Sequence, residues 1–349
     1  MASWIVNPSL DMPEVLEQYG RFLENDYRMV IESMRVPNSF DEYSEQTGRR
    51  FIIVGGKERP GLIAKSVFLC LKLAGPESIA VYTPYLDEMF LVQNVLENYG
   101  EGVRSKQFAS HHDFLSISPE WRDEIDNATD IIVYGDDNAI SLWRDYETVD
   151  RHVWEHGYTF SFGIVDAKTL TRSMVNEVCF DFFCFYGEGR LAPKFYFVIG
   201  NYSEKLVEMF AMNMIVNFGF IINEYRAKLP LTRKSDLTRE MLNAPYSAKY
   251  VRVDDLNSDT MFDSLYGDVR LVFVDNVSEI EEFVEKWADN IGTVAIDWDD
   301  DEDIINVLEE YMVPRICHIG DMQFPDFFEQ YDGLDDFSVY VSDGFEGLN

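Results

Sequence analysis

The stretch Asp130-Ile-Ile-Val-Tyr134-Gly135-Asp136-Asp137 decides how this chain is read. Asp130–Tyr134 is a short apolar run that ends in glycine, the mark of a buried strand closed by a turn. From Gly135-Asp136-Asp137 the pattern changes to helical spacing and runs through about Arg144. One strand, a glycine turn and an amphipathic helix make half of a parallel α/β unit.

Upstream, the same rhythm occurs twice. Phe51-Ile-Ile-Val54 reads as a strand ended by Gly55-Gly56, with Pro60 at a helix start and a helix over Leu62–Ala74. Ser78-Ile-Ala-Val-Tyr82 reads as a second strand and Leu86–Tyr99 as a second helix, after an amphipathic N-terminal helix over Pro13–Arg35. In such doubly wound sheets ligands bind beyond the carboxyl ends of the strands. That places Gly55–Pro60, Thr83-Pro84 and Gly135–Asn138 on the expected rim.

Downstream, a second α/β block is expected. Its strands are Thr159–Val165, Phe195–Ile199, Val269–Val274, Thr293–Ile296 and Arg315–Ile319. Helices are expected over Thr169–Phe185, Ser203–Ala227, Ser278–Trp287 and Asp303–Tyr311, and Lys228–Asp263 reads as loop-rich. The chain shows neither an internal repeat nor a low-complexity linker. The expected division is residues 1–155 plus 321–349 as a nucleotide-binding-type lobe with an oligomerisation strand, and 156–320 as a catalytic-type lobe, with a cleft between them.

Composition narrows the class. With 349 residues, 46% of them hydrophobic, the chain can bury a large core in one large or two ordinary domains. The run Met209–Ile222 is too short for a membrane span and is interrupted by Asn213 and Asn217. The N-terminal residues MASWIVNPSLDMPEV lack a basic lead-in and a long apolar stretch, so a cytoplasmic protein is expected. A net charge of −34 disfavours binding to phosphate backbones and anionic membranes. It fits a solvated acidic surface, a salty cytoplasm or a basic partner. Cys70, Cys179, Cys184 and Cys317 have no CxxC spacing, so free thiols are expected and no metal site. Cys317 and His318 are adjacent in a strand, where successive side chains point to opposite faces, so they form no dyad. Asp299–Asp303 lacks the glycine and the ligand spacing of a calcium loop.

Five segments stand out: Asp130–Asp136, Val153-Trp-Glu155-His-Gly157, Phe162-Gly-Ile-Val-Asp-Ala167, Gly187-Glu-Gly-Arg190-Leu-Ala-Pro-Lys-Phe-Tyr-Phe-Val198 and Gly267–Phe283. Together they resemble the aldehyde dehydrogenase superfamily, most closely the long-chain acyl-CoA (acyl-protein) reductases of the bacterial luminescence type. The closing segments Arg315–Gly320 and Asp332-Gly333 extend the resemblance over about residues 50–340. It implies an aldehyde-dehydrogenase-like fold, NADP or NAD as cofactor of an active member, and reduction of an acyl thioester through a cysteine thiolate.

Aligned on Gly187 and the strand ending at Val198, the thiolate position implied by the resemblance is Arg190, or a one-residue gap deletes it; either way no cysteine lies there. A guanidinium is always protonated and cannot attack a carbonyl. Cys184 lies six residues upstream, about 9 Å along a helix, and is the alternative nucleophile. Glu155 aligns with a general base of the superfamily. Gly55, Gly56, Thr83, Pro84, Gly135 and Asp136 are the expected cofactor contacts, although an aspartate at 136 would repel a pyrophosphate. Tyr82 and Ser264 stand at two further thinned positions.

The expected function is therefore a catalytically degenerate acyl-CoA reductase-like protein that acts as a partner or structural subunit. NADP or NAD belongs to an active member, and a degenerate one needs no cofactor. The alternatives are an active NAD(P)H-dependent reductase forming fatty aldehyde, or an acidic binder of a basic partner. The superfamily's extended C-terminal strand, here Phe337–Val341, implies a homo- or hetero-oligomer.

Overall fold

In a computed structural model the described residues are 48–55, 66–67, 70, 74, 76–83, 104–107, 119–170, 172–183, 190–212, 247–256, 268–297 and 302–322. They form two parallel sheets. The first holds β1 (Phe51–Val54), β2 (Ile79–Thr83), β3 (Arg104–Gln107), β4 (Asp130–Tyr134) and β5 (His152–His156), in the order β3-β2-β1-β4-β5. Strands β1, β2 and β4 are buried at every position, as continuous Ile/Val runs demand in a sheet covered on both sides.

Helices α1 (Pro119–Asn127) and α2 (Asp137–Arg144) accompany this sheet. Ile125 and Ala128, with Ile140 and Trp143 of α2, pack with Ile131, Val133 and Val153 in one cluster. The chain passes from β1 outward to β2 and β3, then returns to place β4 on the other side of β1. The reversal lies between β1 and β4, so Gly55 and Gly135 flank the switch point where such sheets take ligands.

The second sheet has six strands in the order β11-β10-β6-β7-β9-β8. They are β6 (Phe160–Asp166), β7 (Pro193–Ile199), β8 (Ser247–Val251), β9 (Asp268–Val274), β10 (Ile291–Ile296) and β11 (Arg315–His318). Helices α3 (Arg172–Phe183), α4 (204–212), α5 (Val277–Trp287) and α6 (Glu302–Glu310) flank it.

Period-two alternation divides its core. Phe160, Phe162, Phe195 and Phe197 face α5 and α6, where Phe283 packs edge-on against Phe162 and Phe195 at 5.8 and 5.5 Å. Tyr196, Val198 and Val165 face α3, against Val175, Val178 and Phe182. Each such buried ring contributes roughly 1.5–3 kcal/mol, so this lobe has a continuous aromatic core. Gly163 of β6 lies opposite Tyr196 in register, and a Cβ at 163 would stand 2.2 Å from Tyr196 Cε1. Only glycine leaves room for the ring.

Three parts of this architecture depart from the sequence reading. Lys228–Asp263 is not wholly loop, because β8 lies within it. His152–His156, absent from the expected strands, is a full strand, and β3 and α1 join the first lobe. β3 (Arg-Ser-Lys-Gln) and β8 (Ser-Ala-Lys-Tyr-Val) stand at the ends of their sheets. There, half-solvated backbone accepts polar side chains and erases the hydrophobic signal. The expected helices over Pro13–Arg35 and Leu86–Tyr99, and the strand Phe337–Val341, lie outside the described residues.

Candidate functional site

The site is built where the carboxyl end of the first sheet meets the amino end of the second. Tyr134 closes β4 and His156 closes β5, and the two are register partners. Their rings stack at 4.5 Å with 10° between planes. Tyr134 Oη lies 2.6 Å from Ser66 Oγ. After the three intervening residues 157–159 the chain enters β6 of the second sheet.

Arg190 sits at this junction, only 4% exposed. Its Nη2 donates to the carbonyl of His156 at 2.9 Å, and its guanidinium carbon stands 5.7 Å from the centre of the Tyr134 ring. Its own carbonyl accepts from Ser161 Oγ of β6 at 2.5 Å, and Ser161 Oγ accepts from the backbone N–H of Thr293 in β10 at 3.2 Å. Both ends of the residue are therefore held: the side chain by the first sheet, the backbone by the second.

Glu155 lies elsewhere. Strand alternation turns it away from His156, onto the face covered by α2. There Arg144 grips it with Nε at 2.7 Å from Oε1 and Nη2 at 2.7 Å from Oε2. The structure does not bring Glu155 and Arg190 together. The carboxylate beside it pushes the Arg144 pKa up, first through the side-chain hydrogen bond.

The rim residues are placed where the switch point puts them. The Gly55 N–H donates to the carbonyl of Tyr82 at 2.7 Å, and Thr83, which ends β2, is fully buried. The Gly135 N–H donates to the His156 carbonyl at 3.2 Å, so this one oxygen joins the β4 turn and Arg190. Asp136 is the N-cap of α2; its Oδ1 accepts from the Ala139 N–H at 2.8 Å.

That cap tests the dinucleotide. A pyrophosphate at a glycine turn needs helix N-terminal N–H groups and tolerates no carboxylate in their place. Here an Asp136 oxygen already takes one of them, and Asp137 adds charge in the first turn. The described β4 turn does not fit a dinucleotide diphosphate. Gly56, Pro84 and Cys184 lie outside the described residues, as do Gly187 and Ser264.

Further groups complete the surroundings. Asp181 of α3 is fully buried and accepts from the N–H of Gly320 at 2.6 Å and of Met322 at 3.1 Å. Burial pushes its pKa well up, more than those two hydrogen bonds and Arg315 bring it down. Arg315 donates to the carbonyls of Met322 and Asp321, so the turn after β11 is clamped from both sides. Cys70 and Cys317 are buried free thiols, and burial raises the pKa of Cys70 far above the usual thiol range. In β11, Cys317 is buried and His318 exposed, as strand alternation requires. Among the described residues no group of three or more His, Cys, Asp or Glu side chains could hold a metal. The carboxyl ends of β6, β7 and β9 border a separate hollow of about 650 Å³, lined in part by Asp166, Lys168, Lys205 and Asp275. It lies at the opposite end of the second sheet from Arg190.

The family model described as acyl-CoA reductase (LuxC) matches residues 113–339, close to two thirds of the chain. This chain belongs to the LuxC acyl-CoA reductase family. No curated protein matches it. Among solved structures it is similar to a propionaldehyde dehydrogenase from the Clostridium phytofermentans fucose utilisation bacterial microcompartment. That match has 10% identity over 93% of this chain and 88% of the other, with a TM-score of 0.53. An oxidoreductase from Marinobacter aquaeolei matches at 11% identity, 86% and 70% coverage and a TM-score of 0.53. An acetylating aldehyde dehydrogenase from Geobacillus thermoglucosidasius matches at 11%, 87% and 74%, with a TM-score of 0.50.

At such identities the likeness concerns fold alone. The two parallel sheets are the two α/β lobes of an aldehyde-dehydrogenase-like protein. No helix among the described residues is long and apolar enough to cross a membrane.

What sequence reasoning missed at this site is the set of residues that hold Arg190: Ser161, Thr293, Tyr134 and Ser66. Each reads as an ordinary strand or helix position. The one available signal was a serine and a threonine inside otherwise apolar strands.

Proposed function

We propose that this member of the LuxC acyl-CoA reductase family is non-catalytic and serves as a partner or structural subunit. The observation that carries this reading is the burial of Arg190, which the resemblance aligns with the thiol nucleophile, with its guanidinium engaged by His156 and Tyr134. A buried cation that is hydrogen-bonded on the first sheet offers no lone pair to a thioester carbonyl. The Asp136 cap and the Arg144–Glu155 pair support the same reading, since each uses a family position for a structural contact.

The chain as a whole is acidic. A net charge of −34 favours a basic partner and a salt-sensitive association. Homo- or hetero-oligomerisation in the cytoplasm belongs to the same proposal.

The test is incubation with long-chain acyl-CoA and NADPH or NADH while following absorbance at 340 nm, with fluorescence titration of each dinucleotide. Neither turnover nor binding is expected. A steady rate that Cys184→Ala abolishes would overturn the proposal and establish an NAD(P)H-dependent reductase using that thiol.

A further inference from the structure

We propose that Arg190 is an interlobe lock, a residue that holds the two sheets in one fixed orientation. In a two-lobed α/β protein the lobes are joined here by a short crossing, residues 157–159 between β5 and β6. Three residues supply little restraint by themselves, because each retains two soft backbone torsions. Arg190 adds a non-covalent connection beside that crossing. Its guanidinium reaches the His156 carbonyl at the end of β5, and its backbone carbonyl is fastened to Ser161 near the start of β6.

The connection is continuous on both sides. On the first lobe it runs from Ser66 through the Tyr134 hydroxyl and ring to the guanidinium. On the second it runs from the Arg190 carbonyl through Ser161 to the Thr293 N–H, and thus from the turn before β7 across β6 to β10. Every side chain in this path is buried: Ser66 at 3%, Tyr134 at 1%, Arg190 at 4%, Ser161 and Thr293 at 0%. Water therefore does not compete for these hydrogen bonds, and a charged donor makes stronger ones than a neutral group.

Arginine suits this task. Its planar fork can donate to a carbonyl while it lies against an aromatic face, and its charge survives burial because its pKa is so high. A cysteine at 190 could make neither contact, since its side chain ends about 4–5 Å short of a guanidinium by bond lengths. Where the family pattern sets a nucleophile, this chain sets a strut. The lock concerns geometry rather than turnover, so it stands or falls apart from the non-catalytic reading.

Hydrogen exchange on the full-length protein tests it, comparing wild type with Arg190→Met and Arg190→Lys. Methionine keeps most of the apolar stem and removes all donors, whereas lysine keeps one charged donor. Arg190→Met is expected to raise exchange at least tenfold at Gly135, across 157–161 and at 191–192, and to open the 157–159 crossing to limited proteolysis. Ile53, Val54, Phe197 and Val272, inside the two sheets, should keep wild-type protection, and Arg190→Lys should fall between. Wild-type exchange at the junction in Arg190→Met overturns the lock. So does a uniform rise through both sheets, which would mark a general core residue. If Arg190→Met does not fold, Ser161→Ala takes its place, with faster exchange expected at Thr293 and 191–192 and wild-type exchange there overturning the proposal.

Discussion

Glu155 and Arg190 occupy opposite faces of the first sheet. Glu155 is clasped by Arg144 on the side of α2, while Arg190 meets the His156 carbonyl and the Tyr134 ring. A single step along one strand separates Glu155 from His156, and that step carries the side chain through the sheet. A general base working on a group at residue 190 would need hydrogen-bond reach, directly or through one water. Strand alternation denies it that reach.

Arg190→Cys is accordingly expected to give no acyl-CoA reductase activity at 340 nm. On the proposed non-catalytic reading it supplies a thiol alone, since Glu155 is held by Arg144 and Asp136 caps its own helix. The variant should also be less stable, because the His156 carbonyl loses a charged donor inside the protein. Such a loss costs about 1–3 kcal/mol, read from urea denaturation midpoints at an unchanged slope. Reductase activity in Arg190→Cys would show that the rest of the machinery survives.

Glu155→Gln should leave denaturation close to wild type. Its partner Arg144 is exposed, and ion pairs at the surface contribute little. The same substitution at a working base would abolish activity, so any measured activity that disappears in Glu155→Gln contradicts the structural role.

Asp136 separates capping from charge. Asp136→Ala should cost about 1 kcal/mol through loss of the cap to the Ala139 N–H. Asp136→Ser keeps a capping oxygen and should fall within about 0.5 kcal/mol of wild type. Chemical denaturation of the two variants side by side checks this, and equal losses would rule out the cap as the cause.

Asp181 links stability to pH. Its folded pKa is raised, so the folded state retains a proton that the unfolded state has released. Stability from this group is present in full below the unfolded value of about 3.9 and declines as pH rises toward the folded value. Asp181→Asn removes that titration and should flatten the decline above about pH 4 relative to wild type. The amide also sets an NH2 group against a backbone donor of Gly320 or Met322, which should cost about 1–3 kcal/mol. Urea melts at several pH values measure both effects; identical pH slopes for the two proteins would refute the assignment.

Gly163→Ala should be the most damaging of these changes. The new Cβ would lie 2.2 Å from the fully buried Tyr196 ring, whose hydroxyl donates to the Val178 carbonyl. Overpacking of a close-packed core costs roughly 1–3 kcal/mol and at times more. Gly163→Ala combined with Tyr196→Leu should recover part of the loss, and the absence of recovery would mean that the clash is not the cause.

The lobes were legible because apolar strands alternate with amphipathic helices, and buried parallel strands must be apolar along their whole length. Phe51–Val54, Asp130–Tyr134 and Phe195–Ile199 announce themselves in that way. β3 and β8 do not, because polar side chains are accepted at the ends of a sheet. The burial of Arg190 was not legible, because Gly187 and Val198 align it with a family position without saying what surrounds it. Nor were its partners, because Ser161, Thr293 and Tyr134 lie 29, 103 and 56 positions away along the chain.

By itself, then, the order of residues determined the α/β class, the switch point at Gly55 and Gly135, and the resemblance to the family to which the chain belongs. Local periodicity and single residue identities carry that information. Only the tertiary structure decided that Glu155 turns away from the junction, that Asp136 closes its own helix, and that Arg190 is held from both sheets. Those outcomes depend on which face a strand presents and which distant strands become neighbours, and a linear pattern does not encode either.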